Sequence, residues 1–225
     1  MDTSAPGVMN EESGKGGRRR PGARKLQILQ TLAAMLEDPR GEKVTTAALA
    51  ARLEVSEAAL YRHFASKAQM FEALIEFIEQ SIFGLINQIV TKEPNGVLQA
   101  RSIALMLLNF SARNPGMTRV LTCEALVGEH ERLTERVNQM IERVEASLKQ
   151  CLRLGLMDAN VQQGNVSADT SAHATPVPLP TDYDPAVRAN LLLSYIVGRW
   201  HRYVRGGFAR NPAEHADAQL ILILQ

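Results

Sequence analysis

Between residues 45 and 64 the sequence sets hydroxyl and basic side chains around two short apolar runs. Thr45 and Thr46 precede Ala47-Ala48-Leu49-Ala50-Ala51-Arg52-Leu53, and Ser56 precedes a second run that carries Tyr61, Arg62 and His63, with Lys67 just beyond. Hydroxyls at these places suit helix N-caps. Two helices separated by a three-residue turn, with Ala50, Val55 and Leu60 spaced to share an interior, make a helix-turn-helix; the small Ala50 lets the second helix cross close to the first. Such a unit lays the amino end of its second helix in a major groove. Ser56, Glu57, Ala58 and Ala59 are then expected nearest base edges. Thr45, Thr46, Tyr61, His63 and Lys67 are expected to grip phosphate oxygens through hydroxyl, imidazole and ammonium groups. Phosphate contacts supply affinity and register, and base-edge contacts supply discrimination.

Ala58 and Ala59 offer thymine-methyl contact and close approach, which leaves Arg62 as the long donor for guanine. One position does not fit. The turn site suited to Gly is Glu54, and a non-Gly residue held at positive φ costs about 1 kcal/mol.

Other chemistry finds little support. His63 has no second His, Cys or carboxylate at metal-ligand spacing, and neither CxxC nor HExxH occurs. No phosphate-cradling or dinucleotide Gly pattern appears, and no Ser or Cys stands in a recognisable nucleophilic arrangement. His201, beside Trp200 and Tyr203, reads as an interface histidine. An enzyme, a metal and a cofactor are not expected.

The elements that must hold these residues read as helices throughout. Ile28, Leu29, Leu32, Met35 and Leu36 form one stripe of a helix from about residue 24, ended by Pro39 and Gly41. A long helix should follow Ser66-Lys67 to about Val90, with Phe71, Leu74, Ile75, Ile78, Ile82, Leu85, Ile86 and Ile89 on one side. Phe77 and Phe83 lie about 120° from the middle of that stripe. Residues 97–113 give another apolar helix, stopped by Asn114-Pro115-Gly116, and residues 117–127 a shorter one. Residues 129–154 give a long helix whose seam is Leu133, Val137, Met140, Val144, Leu148 and Cys151. That spacing fits a short coiled coil or packing within a bundle. Residues 155–185 turn polar and Pro-rich, which predicts a disordered loop. Helices return at 186–204, with Leu192, Tyr195, Ile196, Trp200 and Tyr203 on one face, and at 212–224. The fold class is all-α, with no strand.

The 225 residues are 45% hydrophobic and 22% charged, ordinary for a globular chain. Charge breaks every apolar stretch, so no bilayer span and no secretory leader are expected, and the cytoplasm follows as the default. Cys123 and Cys151 are then expected to be reduced. Net charge is +1, but residues 1–67 carry 11 Lys/Arg against 8 Asp/Glu, and Lys15 to Lys25 include six basic residues without an acid. Residues 1–23 therefore read as a disordered basic tail that seeks a polyanion.

The run Val55-Ser56-Glu57-Ala58-Ala59-Leu60-Tyr61-Arg62-His63-Phe64-Ala65-Ser66-Lys67 resembles the DNA-binding signature of TetR-type regulators, in which Leu-Tyr-x-His-Phe-x-Ser-Lys recurs. Residues 71–79, 112–122 and 135–146 resemble the branch of that family formed by nucleoid occlusion factors, and the likeness spans residues 24–153. It implies a TetR-like fold: a three-helix head at 24–67 and a helical dimerisation and partner-binding domain at 68–225. It also implies a homodimer on palindromic double-stranded DNA that engages the tubulin-like division protein FtsZ and antagonises its polymers over the nucleoid. On that resemblance Phe77, Arg113 and Asn114 become candidates for the FtsZ surface; a neighbouring helix is the alternative partner for Phe77. Neither a membrane nor an obligatory small-molecule ligand is implied. The rival reading is a transcriptional repressor released by an inducer, with Tyr195, Trp200, His201 and Met106 lining its cavity. The continuous Leu/Met interior of residues 97–113, poor in polar groups that could orient a ligand, weighs against it.

Overall fold

The computed structural model describes residues 22–39, 43–164 and 183–225, and side chains of these except 159–164. Among them every regular element is helical: α1 (Ala23–Met35), α2 (Thr46–Arg52), α3 (Glu57–Tyr61), α4 (Lys67–Lys92), α5 (Gly96–Arg113), α6 (Pro115–Leu121), a 3-10 turn (Glu124–Leu126), α7 (Glu131–Gly164), α8 (Pro185–Arg205) and α9 (Ala216–Leu224). The basic run at 15–20 and most of the expected 155–185 loop lie outside the described residues.

Side-chain caps start five of these helices. Thr45, Ser56, Ser66, Asn95 and Asp184 each accept a backbone N–H from the first turn of the helix that follows, which satisfies donors that the helix itself leaves orphaned. At α4 the arrangement is reciprocal: Ser66 Oγ accepts from Gln69 N at 3.1 Å while Gln69 Oε1 accepts from Ala65 N at 2.7 Å.

Helices α1–α3 form a head around Ile28, Leu32, Leu49, Ala50 and Leu60, all buried. α4 leaves the head and enters the body, where α5 and α7 pack on it and on each other and α8 packs on those two. Its length and composition alone would allow it to cross a membrane, contrary to the expectation that charge rules this out for every segment. Met70, Phe71, Leu74, Ile75, Ile78, Ile82 and Ile86 are nevertheless buried in protein, the pattern of a core helix.

The α7 seam from Leu133 to Cys151 is buried, turned towards α5, α8 and α4 of the same chain. It is a bundle core, so the coiled-coil alternative falls away. Nor does α7 stop at Leu154; it continues to Gly164, which removes the first third of the expected loop. Gly155 is the first residue of that expected loop. Its role is steric: a Cβ there would press on Val97, and one on Gly96 would press on Cys151 and Gly155 backbone. The start of α5 meets α7 backbone to backbone at this pair.

Asn114-Pro115-Gly116 ends α5 at Arg113 as expected, and the next helix opens within it, at Pro115 and not at Met117. Asn114 caps α5, Pro115 opens α6, and Gly116 lets α6 lie against the C-terminal part of α1. Arg119, buried to 7% exposure, donates to the Leu36 and Asp38 carbonyls at 3.2 and 3.0 Å and to Glu124 at 3.0 Å. Tyr203 Oη donates to the Ala112 carbonyl at 3.2 Å. Burial, reinforced by the nearby Glu37 carboxylate, pushes that phenol's pKa up and keeps it a donor.

A methyl group at Gly116 would stand well inside contact range of the Ala33 carbonyl oxygen. Gly116→Ala should therefore cost about 1–3 kcal/mol. Urea unfolding, with α1 reported separately by amide exchange, checks both the size and the site of the loss.

Candidate nucleic-acid interface

The helix-turn-helix is built as its spacing predicts up to Tyr61. Ala50 and Leu60 are buried between α2 and α3, with Val55 half-buried beside them. Glu54 has φ 55°, in the left-handed region. The second helix is shorter than residues 57–64. It ends at Tyr61, with Arg62 as its C-cap, because Phe64 turns into the core, where Lys25 Nζ stands 5.6 Å from its ring centroid.

Ser56, Ala58, Tyr61 and Arg62 form the exposed edge of the motif, with Ala59 and His63 half-buried beside them. Tyr61 is 45% exposed, a large aromatic with a hydroxyl left in solvent. The Ser56 and Thr45 oxygens accept the cap bonds from Ala59 N and Ala48 N, at 3.3 and 3.1 Å. Each hydroxyl keeps its own proton for another acceptor. Arg62 makes no ion pair with a described residue.

Two expected phosphate donors are engaged elsewhere. Thr46 Oγ1 bonds Glu57 Oε2 at 2.7 Å, tying the first turn of α2 to the first turn of α3. Lys67 is not a free ammonium: its Nζ lies 2.6 Å from Glu129 Oε1 and 5.6 Å from the Phe71 ring centroid. Sequence spacing had no access to this, because Glu129 is brought over from the connection before α7, 62 residues away.

Of the other three candidates, Arg113 is exposed at the end of α5, while the Asn114 amide bonds the Phe110 carbonyl at 2.7 Å. Phe77 is half-buried and packs on the core. The short 93–95 connection makes α4 and α5 antiparallel neighbours. Phe77 and Arg113 lie 15 and 17 residues from it, at the same level to within about 3 Å.

The cavity of the rival inducer reading is not assembled among the described residues. Trp200 is fully buried in the packed core, and Tyr195 Oη bonds Gln219 Oε1 at 2.6 Å. A cleft of about 710 Å³ instead lies at the end of α8, lined by Arg199, Arg202, Arg210, His215 and Glu214 among others. Its rim is charged, unlike an apolar ligand sleeve. Among the described residues no group of three or more His, Cys, Asp or Glu could hold a metal ion.

Residues 40–74 match the family model for bacterial regulatory proteins of the tetR family, and residues 95–170 match the SlmA-like tetracyclin repressor-like C-terminal domain. Solved structures place the fold among transcriptional regulators of that class. A TetR regulator from Haloarcula marismortui aligns with TM-score 0.67 at 18% identity, over 89% of this chain and 96% of that one. PfmR from Thermus thermophilus aligns with TM-score 0.64 at 20% identity, over 88% and 97%. The nucleoid occlusion factor SlmA of Idiomarina loihiensis is 48% identical over 87% of this chain and 91% of its own, and that of Shewanella sediminis 45% over 90% and 93%. The chain belongs to the SlmA nucleoid occlusion factors, a branch of the TetR-type DNA-binding regulators and not a family of enzymes.

The φ of Glu54 yields a direct test. Glu54→Gly should stabilise the head by about 0.5–1 kcal/mol, after allowing for the greater unfolded-state freedom of Gly. A higher denaturation midpoint at unchanged slope is the expected readout.

Proposed function

We propose that the protein acts as a homodimer on pseudo-palindromic chromosomal sites and, when DNA-bound, engages FtsZ and breaks down its polymers over the nucleoid. The observation that carries this reading is the helix-turn-helix edge from Ser56 to Arg62, left exposed on a head that Arg119 and Gly116 fix to a body of the SlmA type. On this reading Ser56, Ala58 and Ala59 approach base edges, and Arg62 supplies the guanine contact. Thr45, Tyr61 and His63 meet phosphates, while the Thr46 hydroxyl stays on Glu57. Phe77, Arg113 and Asn114, at one level of the α4–α5 pair, contribute to the FtsZ surface. The protein works in the cytoplasm, associated with the nucleoid.

The dimer is supported by an unpartnered stripe on α8 and α9. Val187 and Leu191 are 63% and 49% exposed, and Ser194 and Gly198 continue the same face with open space over Gly198. Ile221 and Leu222, at 46% and 73%, extend it onto α9. Apolar ends with small residues between them suit close approach of a two-fold mate. Arg188 holds the α9 end to α8 through the Ile223 carbonyl at 2.6 Å. Two heads so joined would read major grooves about 34 Å apart.

FtsZ sedimentation with the purified protein tests the function. The expected result is less pelleted polymer, and a further drop when a cognate duplex is added. Unchanged pellets, together with a small molecule that releases the duplex, would instead establish the inducible repressor. For the dimer, the pair Val187→Glu and Leu222→Glu should weaken self-association by about 100-fold or more, equivalent to about 3 kcal/mol. Analytical ultracentrifugation reads this directly, and a dimer of unaltered affinity would place the interface elsewhere.

A further inference from the structure

The two segments that frame the helix-turn-helix each carry one lysine, and both ammonium groups converge on a single carboxylate of the body. Lys67, the first residue of α4, lies 2.6 Å from Glu129 Oε1; Lys43, ahead of α2, lies 3.5 Å from the same oxygen. Lys43 Nζ also reaches the Gly128 carbonyl at 3.4 Å. Gly128 has φ 75°, which turns the connection so that its carbonyl and the next carboxylate both face the head. The Glu129 side chain is 11% exposed, Lys67 24% and Lys43 62%. Together they wall a cleft of about 220 Å³ floored by Leu36, Val44 and Phe71. Arg119 and Glu124, also in its wall, are bonded to each other. The charge of Glu129 is thus balanced by the two lysines.

We propose that Lys43 and Lys67 form a site for a backbone phosphate of duplex DNA, and that Glu129 occupies this site as a stand-in anion while the protein is free. An ammonium is a point charge on a flexible four-carbon stem, so it can leave a carboxylate for a phosphate without rebuilding its surroundings. A partly exposed ion pair holds it weakly. Lys43, the more exposed of the two and the longer contact, is the first to move. Each lysine that passes from Glu129 to a phosphate lets the DNA release counterions, so Glu129 sets both the affinity and its salt dependence. The inference rests on the DNA-binding reading, and adds to it Lys43 as a contact and Glu129 as the group that masks the site.

Anisotropy titrations of the full chain on a cognate duplex, between 50 and 300 mM KCl, test it. Glu129→Gln should tighten binding at low salt by about tenfold, and should steepen the log–log salt slope by about 1. Lys43→Gln, at a surface position that folding does not depend on, should flatten that slope by about 1, and the double variant should follow Lys43→Gln. A Glu129→Gln slope equal to or shallower than wild type, with a lowered melting temperature, would make Glu129 a structural staple and overturn the proposal. A Lys43→Gln slope identical to wild type would overturn it equally, whatever Glu129→Gln does to folding. Wild-type protein that binds no duplex at all would instead refute the DNA-binding reading itself.

Discussion

A guanidinium taken out of water costs several kcal/mol unless its donors are met, and Arg119 places its two terminal nitrogens by closing the end of another helix, with Nε left unpartnered among the described residues. The Leu36 and Asp38 carbonyls lie at the C-terminal end of α1, where the backbone leaves acceptors without helical partners and the helix dipole favours a cation. Glu124 balances the charge from the following 3-10 turn. This arrangement needs α6 against α1, and α6 can be there because Gly116 has no side chain. The orientation of the head therefore follows from one buried cation and one missing methyl. Lys67 and Lys43 reach Glu129 in the cleft that Arg119 and Glu124 also wall.

The body is held by a different kind of contact. Glu72 pairs with Arg132 at 2.7 Å, and Glu79 with Arg136 at 3.5 Å and with Arg143, whose guanidinium lies 4.2 Å from the Phe83 ring centroid. These residues recur at intervals of four and seven along α4 and α7. The ladder fixes the register of the two helices more than it stabilises them, since partly exposed pairs contribute little each. Phe83, which falls off the apolar stripe of α4, is explained by it: the ring is a platform for Arg143. Phe77, equally far off the stripe, has no such cation over it among the described residues.

What could be read from sequence was local and periodic. Thr45, Ser56 and Ser66 declare their helices because caps act within one turn, and the α7 seam repeats for five turns with the same chemistry. Glu54 could be recognised as a strained turn residue because the turn length fixes its conformation. Pairings set by folding were not legible. In one dimension Gly155 looks like the start of a loop and Gly116 like part of a helix stop; their reason is a second backbone passing close by. Lys67 looks like a free phosphate donor until Glu129 arrives from a distant connection, and nothing in the spacing marks Arg119 as buried. The contact between Thr46 and Glu57, eleven residues apart, escaped for a smaller reason: the turn geometry was foreseen, but not the rotamers. The solvent-facing stripe of α8 was legible only in part, because its exposure depends on where α9 lies.

Helix α4 begins at the recognition motif and ends, 26 residues later, at the far side of the body. A rod of that length measures about 39 Å. Its bearing is the packed stretch between Phe71 and Ile86, so the motif sits on a stiff arm without a joint of its own. A tilt of about five degrees about the Ile86 end of that bearing, about 28 Å from Lys67, would displace the start of the helix by roughly 2–3 Å, comparable with the spacing of successive base pairs. Geometry alone thus makes the seating of α4 a vernier for the distance between two grooves.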